Sequence, residues 1–289
     1  MIIVESGLKM VYDIRNFKKA EMNMDKIIRT MKLFLFDMDG TLYLGDKLFS
    51  FTRELLAEIR RTGGSYLFMT NNSSKSVADY INKLEKLGIT ATYEDFITSS
   101  QATADYLHIN HKGKKLYVCG TRSLKEELRK EGLCVTEIAD EAECIVMGFD
   151  TELTFQKLED VSRLLLTRDI PYIATNPDLV CPTEFGSVPD CGSVCQMIFN
   201  ATGKWPVVIG KPAARMPELA MKRLGIPKEQ TCVIGDRIYT DIKCGLNAGI
   251  TGILVMSGET TPEILAASED KPHLVLSDAG EILELLKSI

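Results

Sequence analysis

Two aspartates separated by one residue, Asp37 and Asp39, follow the apolar run 33–36 and precede Gly40 and Thr41. Carboxylates are costly to bring together and costly to bury, so a cation or a chemical step is expected where two of them meet. One carboxylate can attack a phosphorus atom while the other handles a proton, which divides a difficult hydrolysis into two displacements. The alternative is a turn rich in Asp and Gly that joins a strand to a helix.

A second polar segment begins at Thr70, directly after the apolar run 66–69, and precedes a helical pattern. Hydroxyl, amide and free backbone N–H groups at the N-terminus of a helix form an anion site. Thr70, Asn71 and Asn72 are therefore candidate phosphate ligands. The alternative is an ordinary helix cap, since Ser and Asn are preferred capping residues.

A lysine, Lys211, follows the apolar residues 207–209 and is flanked by Gly210 and Pro212. Beside a carboxylate site, its ammonium can hold a phosphate oxygen and the nucleophile together. The alternative is a surface lysine in a turn.

Two further aspartates, Asp236 and Asp241, follow the apolar run 232–234. Hard oxygen ligands at strand ends suit Mg²⁺, which keeps several waters and takes few carboxylates. Asp241 has a second interpretation, as a negative charge that the dipole favours at a helix start.

The segments that must position these residues alternate between strand-like and helix-like patterns, which is typical of an α/β fold with a parallel sheet. Ligands in such folds bind at the carboxyl ends of the strands. Strands are predicted at 33–36, 66–69, 116–119, 144–147, 172–174, 207–209, 232–234, 253–255 and 274–276. Helices are predicted at 52–61, 76–87, 123–131, 155–166, 193–201 and 214–224, and loops at 176–178 and 182–192.

The composition narrows the class of protein. The 289 residues are 45% hydrophobic and 26% charged with a net charge of −6, as in a soluble enzyme without a broad nucleic-acid-binding face. No apolar run approaches the roughly 20 residues that span a bilayer. The eight cysteines form no C-x-x-C pair, and no histidine lies near Cys191 and Cys195, so we expect reduced thiols in a cytoplasmic protein.

The joint order Asp-x-Asp, Thr, Lys and Gly-Asp-x4-Asp, each at a strand end, resembles the haloacid dehalogenase-like superfamily of hydrolases. Asp39 argues against a transport ATPase, which carries Thr at that position, and dehalogenases lack this second Asp. With a large insertion after Thr70, the motifs resemble the NagD and p-nitrophenylphosphatase-like subfamily. The resemblance implies a Rossmann-like core with an inserted α/β cap.

The predicted domain division follows from the 140 residues between Thr70 and Lys211, far more than one strand-helix connection needs. We expect a catalytic core at 31–100 and 208–289 and a cap at 101–207. Residues 1–30 lack a clear period, and we expect an extension there upstream of a natural start at Met24 or Met31.

The resemblance also implies roles for the site residues. Asp37 is the nucleophile and Asp39 the general acid and base, while Thr70, Asn71, Asn72 and Lys211 bind the phosphate. Mg²⁺ is held by the carboxylates of Asp37 and Asp236 and by the backbone carbonyl of Asp39, with Asp241 acting through water.

Four cap residues, Asn176, Asp178, Gly192 and Ser193, are candidates for contacts with the leaving group, since this stretch resembles the subfamily's substrate-facing loop. The alternative is that they only cap and turn the chain. The expected activity is hydrolysis of small phosphorylated metabolites, with homodimerisation open. A phosphomutase and a non-catalytic binding or regulatory module are the alternatives, and the sequence does not identify the leaving group.

Overall fold

Residues 24–183 and 185–288 are described by a computed structural model. Its strands are β1 (Leu33–Phe36), β2 (Tyr43–Leu44), β3 (Lys47–Leu48), β4 (Ser65–Thr70), β5 (Phe96–Thr98), β6 (Leu116–Cys119), β7 (Val135–Thr136), β8 (Cys144–Met147), β9 (Tyr172–Ala174), β10 (Val180–Thr183), β11 (Gly186–Pro189), β12 (Val207–Val208), β13 (Thr231–Gly235), β14 (Thr251–Val255) and β15 (Leu274–Leu276).

The α-helices alternate with these strands. They are α1 (residues 24–30), α2 (Thr52–Arg61), α3 (Val77–Lys86), α4 (Ser99–Asn110), α5 (Arg122–Lys130), α6 (Phe155–Thr167), α7 (Cys191–Thr202), α8 (Arg215–Leu224), α9 (Lys243–Ala248), α10 (Pro262–Ala267) and α11 (Gly280–Lys287). Among them, no helix is both long and apolar enough to cross a membrane.

The catalytic core predicted from the sequence contains a parallel sheet with the order β15-β14-β13-β1-β4-β5 in the described residues. Its central strand β1 is buried on both faces, as continuous apolar strands of parallel sheets are. Phe34 and Phe36 pack on one face with α2 and α11, and Leu33 and Leu35 pack on the other with α4 and α8.

A second parallel sheet, with the order β12-β9-β8-β6-β7, is inserted between β5 and β13 and forms the cap. One of its faces shares an apolar cluster with the first sheet, through residues such as Leu107 of α4 and Leu124 of α5. Its other face is covered by α6 and α7. The predicted α/β fold class, with a parallel-sheet core and an inserted cap, is confirmed.

Several local expectations differ from the structure. The strand expected at 207–209 is present as β12, but it pairs with β9 of the cap sheet. The predicted divisions at 100/101 and 207/208 therefore pass through α4 and β12. The loop expected at 182–192 overlaps the antiparallel hairpin β10–β11, which begins at Val180, and includes the start of α7. The elements β5 and α4 were not predicted.

The predicted N-terminal extension falls largely outside the description, since residues 1–23 are not described. Residues 24–30 are helical, and Ile28 is fully buried in the core cluster that lines one face of the first sheet. This short helix therefore packs as part of the core.

Candidate active site

The carboxyl ends of three adjacent strands, β13, β1 and β4, meet at one edge of the first sheet. There they border a cavity of about 540 Å³ between the core and the β10–β11 hairpin of the cap. The cavity is lined by most of the site residues predicted in the core: Asp37, Asp39, Thr70, Asn71, Asn72, Lys211 and Asp236. The structure therefore brings together groups that lie up to 199 residues apart in the sequence.

Lys211 lies at the centre of this group and is almost fully buried. Its Nζ donates to Asp37 Oδ1 and to Asp241 Oδ1, both at 2.6 Å, and to the backbone oxygen of Met69 at 3.3 Å. Burial acts to lower the pKa of Lys211, but the charges of Asp241 and Asp37 outweigh it and raise the pKa above its ordinary value. The ammonium therefore stays charged between the two carboxylates.

The backbone of Lys211 is held in place by Asn71. Asn71 Oδ1 accepts from Lys211 N at 2.8 Å, and Asn71 Nδ2 donates to Lys211 O at 2.9 Å. Gly210 permits this close approach, because a Cβ there would lie 2.6 Å from Asn71 Oδ1 and 2.5 Å from the backbone oxygen of Thr175. The side chain of Asn71 thus fixes the position of the lysine.

Three carboxylates, from Asp37, Asp236 and Asp241, place one oxygen each within 4.8 Å of one another. Asp236 Oδ2 accepts from Glu259 N at 2.6 Å, whereas Asp236 Oδ1 is buried and has no hydrogen-bond partner. Burial, followed by repulsion from Asp37 and Asp241, raises the pKa of Asp236 to about 7. An unpartnered carboxylate oxygen among crowded negative charges fits a hard divalent cation.

Two glycines confine the Asp236 carboxylate. A Cβ on Gly40, whose φ is +81°, would lie 2.6 Å from Asp236 Oδ2, and a Cβ on Gly258 would lie 2.0 Å from the same oxygen. Ser257 Oγ donates to Gly40 O at 2.6 Å and joins the two loops. The turn after β1 and the loop after β14 therefore enclose Asp236 from two sides.

Asp241 lies behind the cavity, in a π-helical turn at Ile238–Ile242, and is fully buried. Its Oδ1 accepts from Lys211 Nζ, and its Oδ2 accepts from Arg237 N at 3.1 Å. Gly235 leaves room for this carboxylate, since a Cβ there would lie 2.3 Å from Asp241 Cγ. Both oxygens of Asp241 are thus already engaged by the protein.

Asp39 lies at the rim of the cavity, with its side chain 58% exposed. Its Oδ1 accepts from Gly45 N at 3.4 Å, and Lys83 Nζ lies 3.9 Å from its Oδ2. Partial desolvation raises the pKa of Asp39 above its ordinary value, and the charge of Lys83 opposes this shift. A carboxyl group with a raised pKa at a cavity rim is suited to proton transfer.

The loop after β4 carries the other predicted phosphate ligands. Thr70 Oγ1 accepts from Asn72 N at 3.2 Å, and Asn72 Oδ1 accepts from the Ser74 backbone and hydroxyl at 2.9 and 2.7 Å. The oxygen of Asn72 is therefore used to turn the chain toward α3, the capping role kept as an alternative. The capping box of α3 itself is made by Ser76 and Asp79.

The predicted cap residues divide into two groups. Asp178 lines the cavity, with its Oδ2 accepting from Asn71 Nδ2 at 3.1 Å and its Oδ1 buried without a partner. Asn176 is fully buried instead: its Nδ2 donates to Asn71 O, and its Oδ1 accepts from Asp178 N, both at 2.9 Å. Asn176 therefore shapes the loop that presents Asp178.

Gly192 was expected in the loop 182–192, but it lies in the first turn of α7 together with Ser193, which was predicted to begin a helix. Neither lines the cavity. Gly192 N donates to Asp178 O at 2.8 Å, and Ser193 Oγ donates to Leu179 O at 2.5 Å. A Cβ on Gly192 would lie 2.1 Å from Pro177 O, so only glycine lets the helix approach this loop so closely.

Some cavity residues were not predicted from the sequence, namely Lys75, Lys83, Asp190, Arg237 and the loop 257–259. The loop follows β14, so the rule that places ligands at strand ends could have found it. Arg237 stands beside Asp236 in the sequence and is paired with Glu259 at 2.8 Å. The other residues carry no local sequence signal.

Two family models match separate parts of the chain. The family model described as haloacid dehalogenase-like hydrolase matches residues 34–134, and a model described as HAD-hydrolase-like matches residues 208–282. The 5′-nucleotidase YutF of Bacillus subtilis is 35% identical over 254 residues, which are 88% of this chain and 98% of that protein.

Two solved structures are also similar. The 4-nitrophenylphosphatase of Thermotoga maritima is 37% identical with a TM-score of 0.85, covering 89% of this chain and 98% of that one. The glycerol phosphate phosphatase of Mycobacterium tuberculosis, in complex with calcium, is 29% identical with a TM-score of 0.82, covering 89% and 76%. The resemblance inferred from the four motifs is confirmed, and the chain belongs to the haloacid dehalogenase-like hydrolase family.

Proposed function

We propose that this protein is a Mg²⁺-dependent phosphatase that hydrolyses small-molecule phosphate monoesters through an aspartyl-phosphate on Asp37. Its relatives are named as phosphatases and a nucleotidase, which are phosphoric monoester hydrolases. The observation that carries the proposal is the placement of Asp37, Lys211 and Asp236 on the cavity floor with Asp39 at its rim.

Asp37 is the proposed nucleophile. Its Oδ1 is held by Lys211 at 2.6 Å, which leaves Oδ2 as the oxygen that attacks phosphorus. The ester bond to the leaving oxygen breaks as the new bond to Oδ2 forms, and the aspartyl-phosphate is then hydrolysed by water. Lys211 stabilises the negative charge that develops on the phosphoryl oxygens.

Thr70 and the loop that follows it are proposed to hold the phosphoryl group. Thr70 lines the cavity, and backbone N–H groups near the start of a helix favour anions. Because the side chain of Asn71 is engaged with Lys211 and Asp178, we assign the contribution of Asn71 to its backbone. The side-chain N–H₂ of Asn72, which has no acceptor among the described residues, is a further candidate donor.

Asp39 is proposed to transfer the proton. In the first step it protonates the leaving oxygen, and in the second it removes a proton from the attacking water. Its raised pKa and its partial exposure at the rim are consistent with both tasks.

The carboxylates of Asp37 and Asp236 and the backbone carbonyl of Asp39 are the proposed ligands of Mg²⁺. Asp241 is proposed to act through water, in keeping with its two engaged oxygens. When bound, the cation supplies positive charge that offsets the carboxylates and the phosphate. The unpartnered Oδ1 of Asp236 supports this assignment.

The proposal is tested by hydrolysis of 4-nitrophenyl phosphate by the wild type and by Asp37→Asn. We expect the variant to lose activity by about 10⁴-fold or more while it unfolds at the wild-type temperature, since nucleophile removal eliminates the covalent route. Asp169→Asn, which changes an exposed carboxylate of the cap away from the cavity, is the matched control.

A second arm removes the metal. Activity in EDTA should fall to background and return with Mg²⁺, and Mg²⁺ should raise the unfolding temperature of the metal-free protein. Full activity of Asp37→Asn, or full activity in EDTA, refutes the mechanism. Transfer of phosphate to a second sugar hydroxyl without phosphate release identifies a phosphomutase instead.

A further inference from the structure

Two lysines that line the cavity, Lys83 and Lys75, take no part in the proposed mechanism. Lys83, on α3, places its Nζ 3.9 Å from Asp39 Oδ2 and 4.2 Å from the centre of the Tyr43 ring. Lys75, in the loop before α3, lines the same cavity. Because Asp39 serves the leaving oxygen, a group at this distance from its carboxylate borders the leaving group of a bound ester.

The cations of the cavity differ in how well they are neutralised. Lys211 has two carboxylate oxygens at 2.6 Å, and Arg237 has Glu259 at 2.8 Å. Lys83 has only the oxygen at 3.9 Å, and Lys75 has no carboxylate within 4.0 Å in the described residues. The two α3-side ammonium groups are therefore the cavity cations with spare positive charge.

Both lysines border one cavity, so an anion bound there would be attracted by two positive charges. The Lys83 side chain is 28% exposed, and its contact with the face of Tyr43 keeps the ammonium over the cavity instead of in solvent.

The other walls of the cavity differ from the wall that carries Lys75 and Lys83. The β2–β3 and β10–β11 hairpins contribute apolar side chains, including Leu44, Val180 and Pro182, and the cap loop contributes the carboxyl groups of Asp178 and Asp190. These walls contribute no positive charge among the described residues, so a negative charge on the leaving group would be attracted only toward the lysines. The charge pattern therefore orients such a ligand toward α3.

We infer that Lys75 and Lys83 form an anion subsite, so that the enzyme prefers phosphate monoesters whose leaving group carries a carboxylate or a second phosphate. This inference rests on the proposed function and specifies the substrate class of that site.

The test compares two aryl phosphates of matched size, 4-carboxyphenyl phosphate and its neutral isostere 4-carbamoylphenyl phosphate. The wild type should show the higher kcat/KM for the carboxylate ester. In Lys75→Gln/Lys83→Gln the ratio of the two kcat/KM values should fall about tenfold, as expected for lost charge-assisted contacts. Lys86→Gln removes an exposed lysine of the same helix as the control and should leave the ratio unchanged.

Each single variant sharpens the assignment. Lys75→Glu should reverse the preference in favour of the neutral ester. If Lys83→Gln lowers kcat/KM equally for both esters, Lys83 acts only on Asp39 and the inference is overturned for that residue.

Different results would contradict the anion subsite and the phosphatase proposal. Equal kcat/KM values for both esters, with no change in the double variant, overturn the subsite and leave the phosphatase proposal standing. Hydrolysis of neither ester by the wild type overturns the proposed function and the subsite together. Parallel measurements with monophosphate and bisphosphate esters of one diol distinguish a second phosphate from a carboxylate as the preferred anion.

Discussion

Among the described residues, two regions bury carboxyl oxygens without hydrogen-bond partners, one beside the cavity and one at the junction between cap and core. Asp236 Oδ1 lies on the floor of the cavity, and both oxygens of Glu127 lie under α5 at the junction between cap and core. The pKa is raised to about 7 in both places, by burial first in each case. Burial therefore raises the pKa of a carboxyl group to a similar value in two different surroundings.

The difference lies in what surrounds each carboxyl group. Near Asp236, other carboxylates converge on one point, and the buried ammonium of Lys211 bridges two of them. Near Glu127, burial and the carboxylate of Glu131 raise the pKa, and Ser100 and Lys130 oppose this shift only in part. Crowded carboxylates indicate a functional site when a cation and an accessible cavity accompany them. Burial alone does not indicate one.

The largest effect is expected when the cation is removed from the first region. Lys211→Met leaves Asp37 and Asp241 buried without their shared partner, so stability should fall by about 3–5 kcal/mol. Activity should fall by about 10³-fold, because the charge that stabilises the phosphoryl oxygens is lost. Urea denaturation and steady-state kinetics measure the two effects.

Lys204→Met is the control for this change, since Lys204 is an exposed lysine on the cap. Near-normal activity in Lys211→Met would contradict the idea that the bridging ammonium distinguishes the site around Asp236 from the surroundings of Glu127.

The second effect concerns Asp236 itself. Asp236→Asn removes one of three crowded charges, so the metal-free protein should gain about 1–3 kcal/mol of stability while activity falls by about 10²-fold. The Mg²⁺-induced rise in unfolding temperature seen with the wild type should disappear. A variant that is still stabilised by Mg²⁺ as strongly as the wild type would place the cation elsewhere.

A smaller and purely structural effect is expected at Glu127. Its pKa is raised from 4.5 to about 7, so the folded protein holds a proton that the unfolded chain releases between these values. Stability therefore decreases as pH rises from about 4.5 to 7, and the full cost of about 3 kcal/mol applies above pH 7. Glu127→Gln should recover this amount at pH 8 and almost nothing at pH 4.5, with activity unchanged.

Glu126→Gln is the matched control, because Glu126 is the exposed neighbour of Glu127 on α5. Chemical denaturation at several pH values provides the measurement. Equal gains at pH 4.5 and pH 8 would show that the carboxyl group of Glu127 does not change its protonation on folding.

The two regions also differ in what the sequence reveals about them. Asp37, Thr70 and Asp236 follow apolar strands directly, and parallel strands of one sheet bring their carboxyl ends together, so local pattern and topology suffice to predict the site. Glu127 lies on the amphipathic helix α5, but the neighbouring helix α4 shows almost no amphipathic pattern in its sequence. Neither α4 nor the burial of Glu127 was therefore predictable.

The cap loop shows a further limit of the sequence. Asn176, Gly192 and Ser193 have the residue types of binding loops, but their groups are occupied by Asn71, Pro177 and Leu179. These contacts join segments 14 to 105 residues apart, and no periodicity encodes them. Residue type alone does not tell a ligand contact from a loop contact.

Asp178 tests whether an unpartnered carboxyl oxygen that lies beside the cavity, but on the cap, also indicates a ligand contact. Like Asp236, it lines the cavity, keeps one buried oxygen without a partner and has a pKa raised chiefly by burial. We propose that its Oδ1 accepts from a hydroxyl or N–H of the leaving group, a contact that Asp178→Ala would remove. The ratios of kcat/KM among nucleoside, sugar and aryl phosphates should change by about tenfold, which corresponds to the loss of one hydrogen bond to a charged group. Asn176→Ala is the matched comparison: it should lower stability by about 1–2 kcal/mol and keep the ranking, because Asn176 contacts only the protein. If Asp178→Ala also lowers stability without changing the ranking, Asp178 belongs with Glu127, and an unpartnered oxygen beside the cavity does not suffice to identify a ligand contact.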